Sequence, residues 1–353
     1  MTCYLLAGGG TAGHVNPLLA VADRLREVEP DSRVLVLGTA EGLESRLVPD
    51  RGYDLLTVAK VPFPRRPDKR ALSFVPAFRG AIAAVRAMIE EHGVDVVVGF
   101  GGYVSTPAYI AARRARVPVV IHEANARPGL ANRLGARFAR SVGVAFAGTP
   151  LPRSILVGMP LRREIETLDR AASRAEAAAF FGLDAARPVL LVTGGSLGAR
   201  RINRTIVDSG SLIVATGWQV LHVTGAQAEV GDPRLPDYRM IEYADRMDLA
   251  LALADAAVSR AGAATVSECA ALGIPSVYVP YPVGNGEQRF NAAEVVAAGG
   301  GILVDDAAFV PDWVGTELVS LLRDSERRAE MAAAAASVGH RDGTDRMVAL
   351  IRG

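Results

Sequence analysis

The chain has 353 residues, half of them hydrophobic but only 6% aromatic, and 39 basic against 38 acidic residues leave a formal net charge of +1. That length exceeds one ordinary core, since single cores stop growing near ~250–300 residues, so two domains are expected. A near-neutral chain offers no global field to a polyanion, which disfavours a nucleic-acid partner. Cys3 and Cys269, far apart and outside any CxxC or Cys/His spacing, disfavour a zinc site or a disulfide framework and fit a reducing cytoplasm.

The N-terminus reaches its glycines with no charged stretch before them, and no apolar run approaches ~18 residues without Gly, Pro or charge, so neither a signal peptide nor a membrane span is expected. In chain order, "CYLLAG", "RVLVLG", "VDVVVGFG" and "VPVVIHE" precede "PVLLVTGG", "WQVLHVTG", "RMIEYA", "AAVSRAG" and "PSVYVPY", with helical patterns between them. Strand, crossover and strand at this spacing predict βαβ units and parallel sheets, an α/β fold. The two halves also repeat: "LLAGGGTAGHVNPLLAVA" from Leu5 and "LLVTGGSLGARRINRTIV" from Leu190 are each a buried strand, a glycine-rich turn and a helix.

The first turn, Gly8 to Gly13, satisfies G-x-G-x-x-G, a pattern that lets backbone approach a phosphate or sugar at a helix N-terminus. A dinucleotide site also wants an acid closing the second strand, where Gly38 and Thr39 stand instead; Glu41 alone keeps the NAD reading open. His14, directly after the last glycine, is a candidate general base at an open strand end; a structural histidine is the bland alternative. From Lys60 to Ile89 come seven Lys or Arg and one Asp, interleaved with Leu72, Phe74, Val75, Phe78, Ile82 and Val85. This reads either as a loop and helix packed on the sheet or as a surface for anionic lipid.

Further on, "GFGGYVSTPAYIAA" and "IHEANARPGLANRLGARFAR" put Tyr103, Ser105, His122, Glu123, Asn125 and Asn132 at the carboxyl edge of the sheet, where open α/β folds bind ligands. His122 and Glu123 also admit a satisfied buried pair. The proline-rich Gly148–Leu161 stretch reads as a linker. Beyond it, the second glycine-rich turn brings Ser196, whose hydroxyl and N–H suit a phosphate oxygen. "SRAGAATVSECAALGIP" opens a helix whose Ala263, Ala264 and Thr265 N–H groups form another anion seat, with Glu268 placed for ribose hydroxyls. "GNGEQRFNAAEVV" offers Glu287, Gln288 and Asn291 for reading hydroxyls. No D-x-D, H-E-x-x-H, P-loop lysine or G-x-S-x-G occurs, so bound metal, a resident cofactor and hydrolase nucleophiles are not expected.

In order along the chain, "GGGTAGHVNP", "GFGGYVSTP", "HEANARPGLANR", "GMPLR", "GGSLGARRIN" and "RAGAATVSE…GEQRFNA" closely resemble the MurG family of peptidoglycan N-acetylglucosaminyltransferases, from about Leu5 to Gly301. The resemblance implies a GT-B fold, two Rossmann-like domains with parallel sheets facing a central cleft. It further implies metal-independent, inverting transfer of GlcNAc from UDP-GlcNAc to the C4 hydroxyl of MurNAc in lipid I (undecaprenyl-diphosphate-linked MurNAc-pentapeptide), giving lipid II at the cytoplasmic membrane face. Residues 1–161 would form the acceptor and membrane-associated domain, 162–337 the UDP-GlcNAc domain, and a helix over 338–353 would return to the first.

Carried over position by position, the resemblance places Thr11, Ala12 and Gly13 beside the donor sugar and Asn125 in contact with it, with Asn132 also in the substrate site. Arg162 and Ser196 would lie at the nucleotide end. Ala263, Ala264, Thr265, Val266, Ser267 and Glu268 would surround phosphates and ribose, and Gln288 would read the sugar. His14 would be the base, with Tyr103 and Glu123 as further catalytic candidates. Ala12, Ala264, Ala244, Met159 and Glu287 depart from the family's common residues. Another lipid acceptor, a UDP-GlcNAc 2-epimerase and a non-enzymatic nucleotide-sugar-binding protein are the alternatives at this level.

Overall fold

The computed structural model describes residues 1–61, 69–195, 199–226, 228–283 and 286–353, with the backbone alone at 69–72. The chain divides into two compact units, Met1–Arg162 with Asp342–Gly353, and Arg163–Arg341. The first holds seven parallel strands: β1 (Cys3–Gly8), β2 (Arg33–Gly38), β3 (Asp54–Thr57), β4 (Val96–Gly101), β5 (Val119–Glu123), β6 (Ser141–Val144) and β7 (Ser154–Leu156). Their order is β3-β2-β1-β4-β5-β6-β7. The second holds six: β8 (Val189–Thr193), β9 (Gln219–Val223), β10 (Tyr238–Ile241), β11 (Ala254–Ser259), β12 (Ser276–Tyr278) and β13 (Gly301–Leu303), ordered β10-β9-β8-β11-β12-β13.

Every residue of β1, β4, β5, β8 and β9 is buried. That is why these strands read as continuous apolar runs: helices cover both faces of each sheet. The strands that sequence reading missed, β3, β6, β7 and β13, have three or four residues and lie at or next to sheet edges, too short for a pattern. β7 also corrects the reading of 148–161 as a linker. Ser154–Leu156 pairs in register with β6, so the proline-rich stretch belongs to the first unit's sheet.

Five helices of the first unit position its site: α1 (Ala12–Val28), α2 (Glu44–Asp50), α3 (Lys69–His92), α4 (Ser105–Ala115) and α5 (Leu130–Gly135). α3 is two-natured. Ala81, Ile82, Val85 and Ile89 enter the core with Tyr109 and Ala112 of α4, whereas Val75 nearer its start is 49% exposed and Phe74 stacks on Phe78 with centroids 5.2 Å apart. Arg65 and Arg66 of the basic segment fall outside the described residues, as do the side chains of Lys69 and Arg70.

The last helix spans Gly343–Arg352 and does not start at 338, because Ser325–Val338 forms a separate helix of the second unit that stops at Gly339. A Cβ at Gly339 would collide with the Ala270–Ala271 backbone. Met347, Val348 and Ile351 enter one core cluster with Tyr4, Leu6, Leu18, Leu25 and Val98, and Arg24 pairs with Asp345 at 2.6 Å.

Each unit buries one strand histidine. His122 Nε2 faces the Gly158 carbonyl at 3.1 Å, so that nitrogen carries the proton; His222 lies between the Tyr238 hydroxyl at 2.6 Å and Asn203 Oδ1 at 3.1 Å. Burial pushes both imidazoles down to about 4 from the ordinary 6.5. Folded chains therefore keep both rings neutral where unfolded chains take up protons. Stability falls as pH drops from about 6.5 to about 4, by up to roughly 1.4 kcal/mol per pH unit for each proton. Urea midpoints at pH 7, 6, 5 and 4.5 check this; a constant midpoint contradicts it.

Candidate functional site

In the first unit the carboxyl ends of β1 and β4 close on each other. Gly10 turns at φ +86°, Gly101 at +96° and Gly102 at +86°, conformations only glycine adopts cheaply. A Cβ at Gly102 would stand 2.6 Å from the Gly9 carbonyl oxygen. Ser105 Oγ ties the turns together by donating to Gly101 O at 2.7 Å and to Ala7 O at 3.1 Å. Thr11, the residue before α1, is extended and leaves the helix start without a side-chain cap; its hydroxyl faces His14 Nδ1 at 3.3 Å. Ala12 and Gly13 occupy the first turn, whose N–H groups lack intrahelical acceptors and can serve an anion.

His14 is half-buried, with Nδ1 3.2 Å from the Gly9 carbonyl and Nε2 on the side of Gly101, where a Cβ would be 3.1 Å away. Tyr103 is 42% exposed and carries the Lys60 ammonium 5.4 Å from its ring centre.

Glu123, His122 and Asn132 are all buried, but the histidine and the glutamate do not pair. Adjacent strand residues point to opposite faces. Glu123 instead accepts from Asn125 N at 2.9 Å, Gly129 N at 3.0 Å and Asn132 Nδ2 at 3.0 Å. Asn132 in turn donates to His122 O at 3.1 Å and accepts from the Tyr109 hydroxyl at 2.6 Å. A carboxylate and an amide thus fold the 123–132 loop around themselves, with Asn125 on it. Arg162 closes the first unit.

The second unit presents a cavity of about 1020 Å³ at the carboxyl edge of its sheet, lined by Gly194, Arg201, Arg260, Tyr281, Gln288 and Asp306 among others. Gly195 turns at φ +83° after β8; Ser196 lies outside the described residues. The β11 strand leads through Arg260 to Gly262, which opens the helix Ala263–Ala271 with no side-chain cap and no acid in its first turn. Ala264, Thr265, Ser267 and Glu268 are partly exposed on it, while Ala263 and Val266 are buried. Gln288 accepts at Oε1 from Tyr281 N at 2.9 Å, which leaves its amide nitrogen to donate. Asn291 is buried and donates to Ala261 O at 3.2 Å, a tie between this loop and the turn after β11.

Arg260 of this unit was not singled out in the sequence. Its side chain is 11% exposed, its Nη1 donates to Val279 O at 3.0 Å and to Asp306 Oδ1 at 2.6 Å, and its buried Nε has no partner among the described residues. The signal was present: an arginine in the strand-to-helix turn two residues before the helix-opening glycine. Among the described residues no cluster of three or more His, Cys, Asp or Glu is arranged to hold a metal ion, and no helix is long and apolar enough to cross a membrane.

Residues 4–144 match the glycosyltransferase family 28 N-terminal domain and residues 189–347 the family's C-terminal domain. The chain belongs to glycosyltransferase family 28, with the MurG transferases. A family member from Leifsonia xyli subsp. xyli, a UDP-N-acetylglucosamine--N-acetylmuramyl-(pentapeptide) pyrophosphoryl-undecaprenol N-acetylglucosamine transferase, is 66% identical over 352 residues, covering 100% of this chain and 98% of that one. The Streptomyces coelicolor transferase of the same name is 50% identical, covering 98% and 96%. The crystal structure of Acinetobacter baumannii MurG superposes with a TM-score of 0.79 at 27% identity, covering 100% and 99%. The fold is GT-B. A UDP-GlcNAc 2-epimerase from Neisseria meningitidis shares the fold at a TM-score of 0.70 but only 15% identity.

Proposed function

We propose that the chain transfers GlcNAc from UDP-GlcNAc to the MurNAc C4 hydroxyl of lipid I, forming lipid II. The observation that carries this is full-length identity of 66% to a transferase named for UDP-N-acetylglucosamine and N-acetylmuramyl-(pentapeptide) pyrophosphoryl-undecaprenol, together with a glycine turn at the strand ends of each unit. The reaction is a single displacement: the acceptor oxygen attacks the anomeric carbon, the sugar–phosphate bond breaks with inversion, the acceptor proton passes to a base and UDP leaves.

His14 is the base, because its carbonyl-bound Nδ1 leaves Nε2 as the proton acceptor. Thr11, Ala12 and Gly13 shape the approach to the sugar, and Asn125 contacts it from the loop that Glu123 and Asn132 organise. Tyr103 and Lys60 present an aromatic face and a cation beside this turn. On the donor side, the N–H groups from Ala263 to Thr265 and the Arg260 guanidinium stabilise the departing diphosphate without metal. Glu268 takes the ribose hydroxyls, the Gln288 amide donates to the sugar, and Arg162 and Ser196 serve the nucleotide end.

The unit Met1–Arg162 with Asp342–Gly353 serves as the acceptor domain and Arg163–Arg341 as the donor domain. The protein works peripherally at the cytoplasmic membrane face, with the exposed Val75 of α3 and the basic residues of the 60–89 segment against anionic lipid.

The test is UDP release from UDP-GlcNAc in EDTA, with a lipid I analogue presented in phosphatidylglycerol or in neutral vesicles. Acceptor-dependent release undiminished by chelator, and faster on the anionic vesicles, is expected. Release without acceptor would contradict the transferase reading, and equal rates on both vesicles would contradict the anionic surface.

A further inference from the structure

We propose that Glu44 is a positioning residue for His14: it holds the Gly9–Gly10 turn so that the Gly9 carbonyl selects the imidazole tautomer whose Nε2 can accept a proton. The structural part stands on its own; its meaning for catalysis rests on the transferase reading above.

Glu44 opens α2, more than thirty residues beyond the turn, and is fully buried. Its Oε2 accepts from Gly10 N at 2.8 Å, and its Oε1 accepts from Thr39 N at 2.9 Å and Thr39 Oγ1 at 2.8 Å. Three glycines make room for it. A Cβ at Gly9 would lie 2.7 Å from the Glu44 Cδ, one at Gly38 would lie 2.5 Å from its Cγ, and one at Gly42 would overlap the carboxylate itself. Gly9 in this turn, with Gly38 and Gly42 after β2, therefore accommodates a carboxylate of the protein's own.

That carboxylate is ionised. Burial alone would raise its pKa, but the Gly10 N–H, its own backbone N–H and both Thr39 donors outweigh burial and hold it below the usual carboxylate range. A buried anion accepting a charge-assisted hydrogen bond from Gly10 fixes the peptide plane of Gly9–Gly10, and with it the direction of the Gly9 carbonyl. A carbonyl oxygen can only accept, so a hydrogen bond at 3.2 Å needs a proton on His14 Nδ1; the Thr11 hydroxyl, 3.3 Å from the same nitrogen, can then accept from it or compete by donating to an unprotonated Nδ1. The chain of contacts runs from Glu44 to Gly10 N–H, through the peptide to Gly9 O, and on to Nδ1–H. Nε2 is then the basic nitrogen, and its side of the ring is kept open by Gly101.

Glutamine at this position has the same size but replaces one acceptor oxygen with a donor, so either Gly10 or Thr39 loses its partner. The experiment measures the tautomer of His14 by long-range nitrogen–proton NMR of nitrogen-15 histidine-labelled protein, assigned with His14→Gln, alongside steady-state kinetics of wild type and Glu44→Gln. The wild-type ring is expected as Nδ1–H. In Glu44→Gln the ring should shift toward Nε2–H while kcat falls about tenfold or more and KM for UDP-GlcNAc stays within about twofold.

An Nε2–H ring in the wild type overturns the proposal whether or not the variant folds. So does a folded Glu44→Gln with lower thermal stability but wild-type tautomer and kcat, which would make Glu44 structural only. A wild type without transferase activity whose tautomer still responds to Glu44→Gln would remove the transferase reading and leave the positioning role standing.

Discussion

Replacing His14 by alanine lowers acceptor-dependent transfer by about 10²-fold or more, the span that general-base catalysis contributes. The loss should fall on kcat, with KM for UDP-GlcNAc changed little, because His14 interacts with the acceptor proton as it leaves and not with the bound donor. The fold should survive the change, since the ring is half-buried and its polar contacts are to Thr11 and Gly9 in the same turn. UDP-GlcNAc binding followed by calorimetry separates the outcomes. Intact binding with lost transfer assigns the base, whereas transfer within about threefold of wild type rules His14 out of that role.

Arg260→Ala is expected to cost about 10²–10³ in kcat, comparable to removal of a donor that stabilises charge developing in a transition state. Arg260→Lys should recover only part of this. Nη1 alone meets the Val279 and Pro280 carbonyls and Asp306, and a lysine ammonium in its place has no further N–H to offer a diphosphate. The side chain is 11% exposed, so thermal midpoints must accompany the kinetics. A variant folded as well as wild type with unchanged kcat would remove Arg260 from the donor site.

The central strands of both sheets were legible in the sequence because they are buried on two faces and so carry unbroken apolar runs, as "CYLLAG" and "VLLVT" do. Most short strands at or next to the sheet edges were not, since "SVGV", "SIL" and "GIL" offer too few residues for a pattern, whereas the edge strand β10 was legible as "RMIEYA". Among site residues, those adjacent to glycine-rich turns stood out: His14, Gln288 and the start of the helix at Ala263. Glu44 and Arg260 did not, because each works by reaching across sequence, to Gly10 in one case and to Asp306 in the other. Gly38 and Thr39 stand where a dinucleotide site wants an acid, and the nearby acid that shapes the turn is Glu44, turned inward. Linear spacing cannot distinguish a carboxylate aimed at a ligand from one aimed at its own backbone.

The return of Gly343–Arg352 to the first unit has a consequence for biosynthesis. Residues 1–162 leave the ribosome first and already contain all seven strands of their sheet, but Met347, Val348 and Ile351 belong to the same apolar cluster as Tyr4 and Leu6 of β1. Through the time needed to translate the second unit, at roughly 5–20 residues per second, the nascent first unit exposes the apolar surface those three side chains will cover. Its maturation is thus a late event in a chain whose second half, Arg163–Arg341, is contiguous and completes its own core without waiting for the final helix. An isolated first unit would need that last helix supplied, by permutation or as a separate peptide, before its surface matched that of the whole protein.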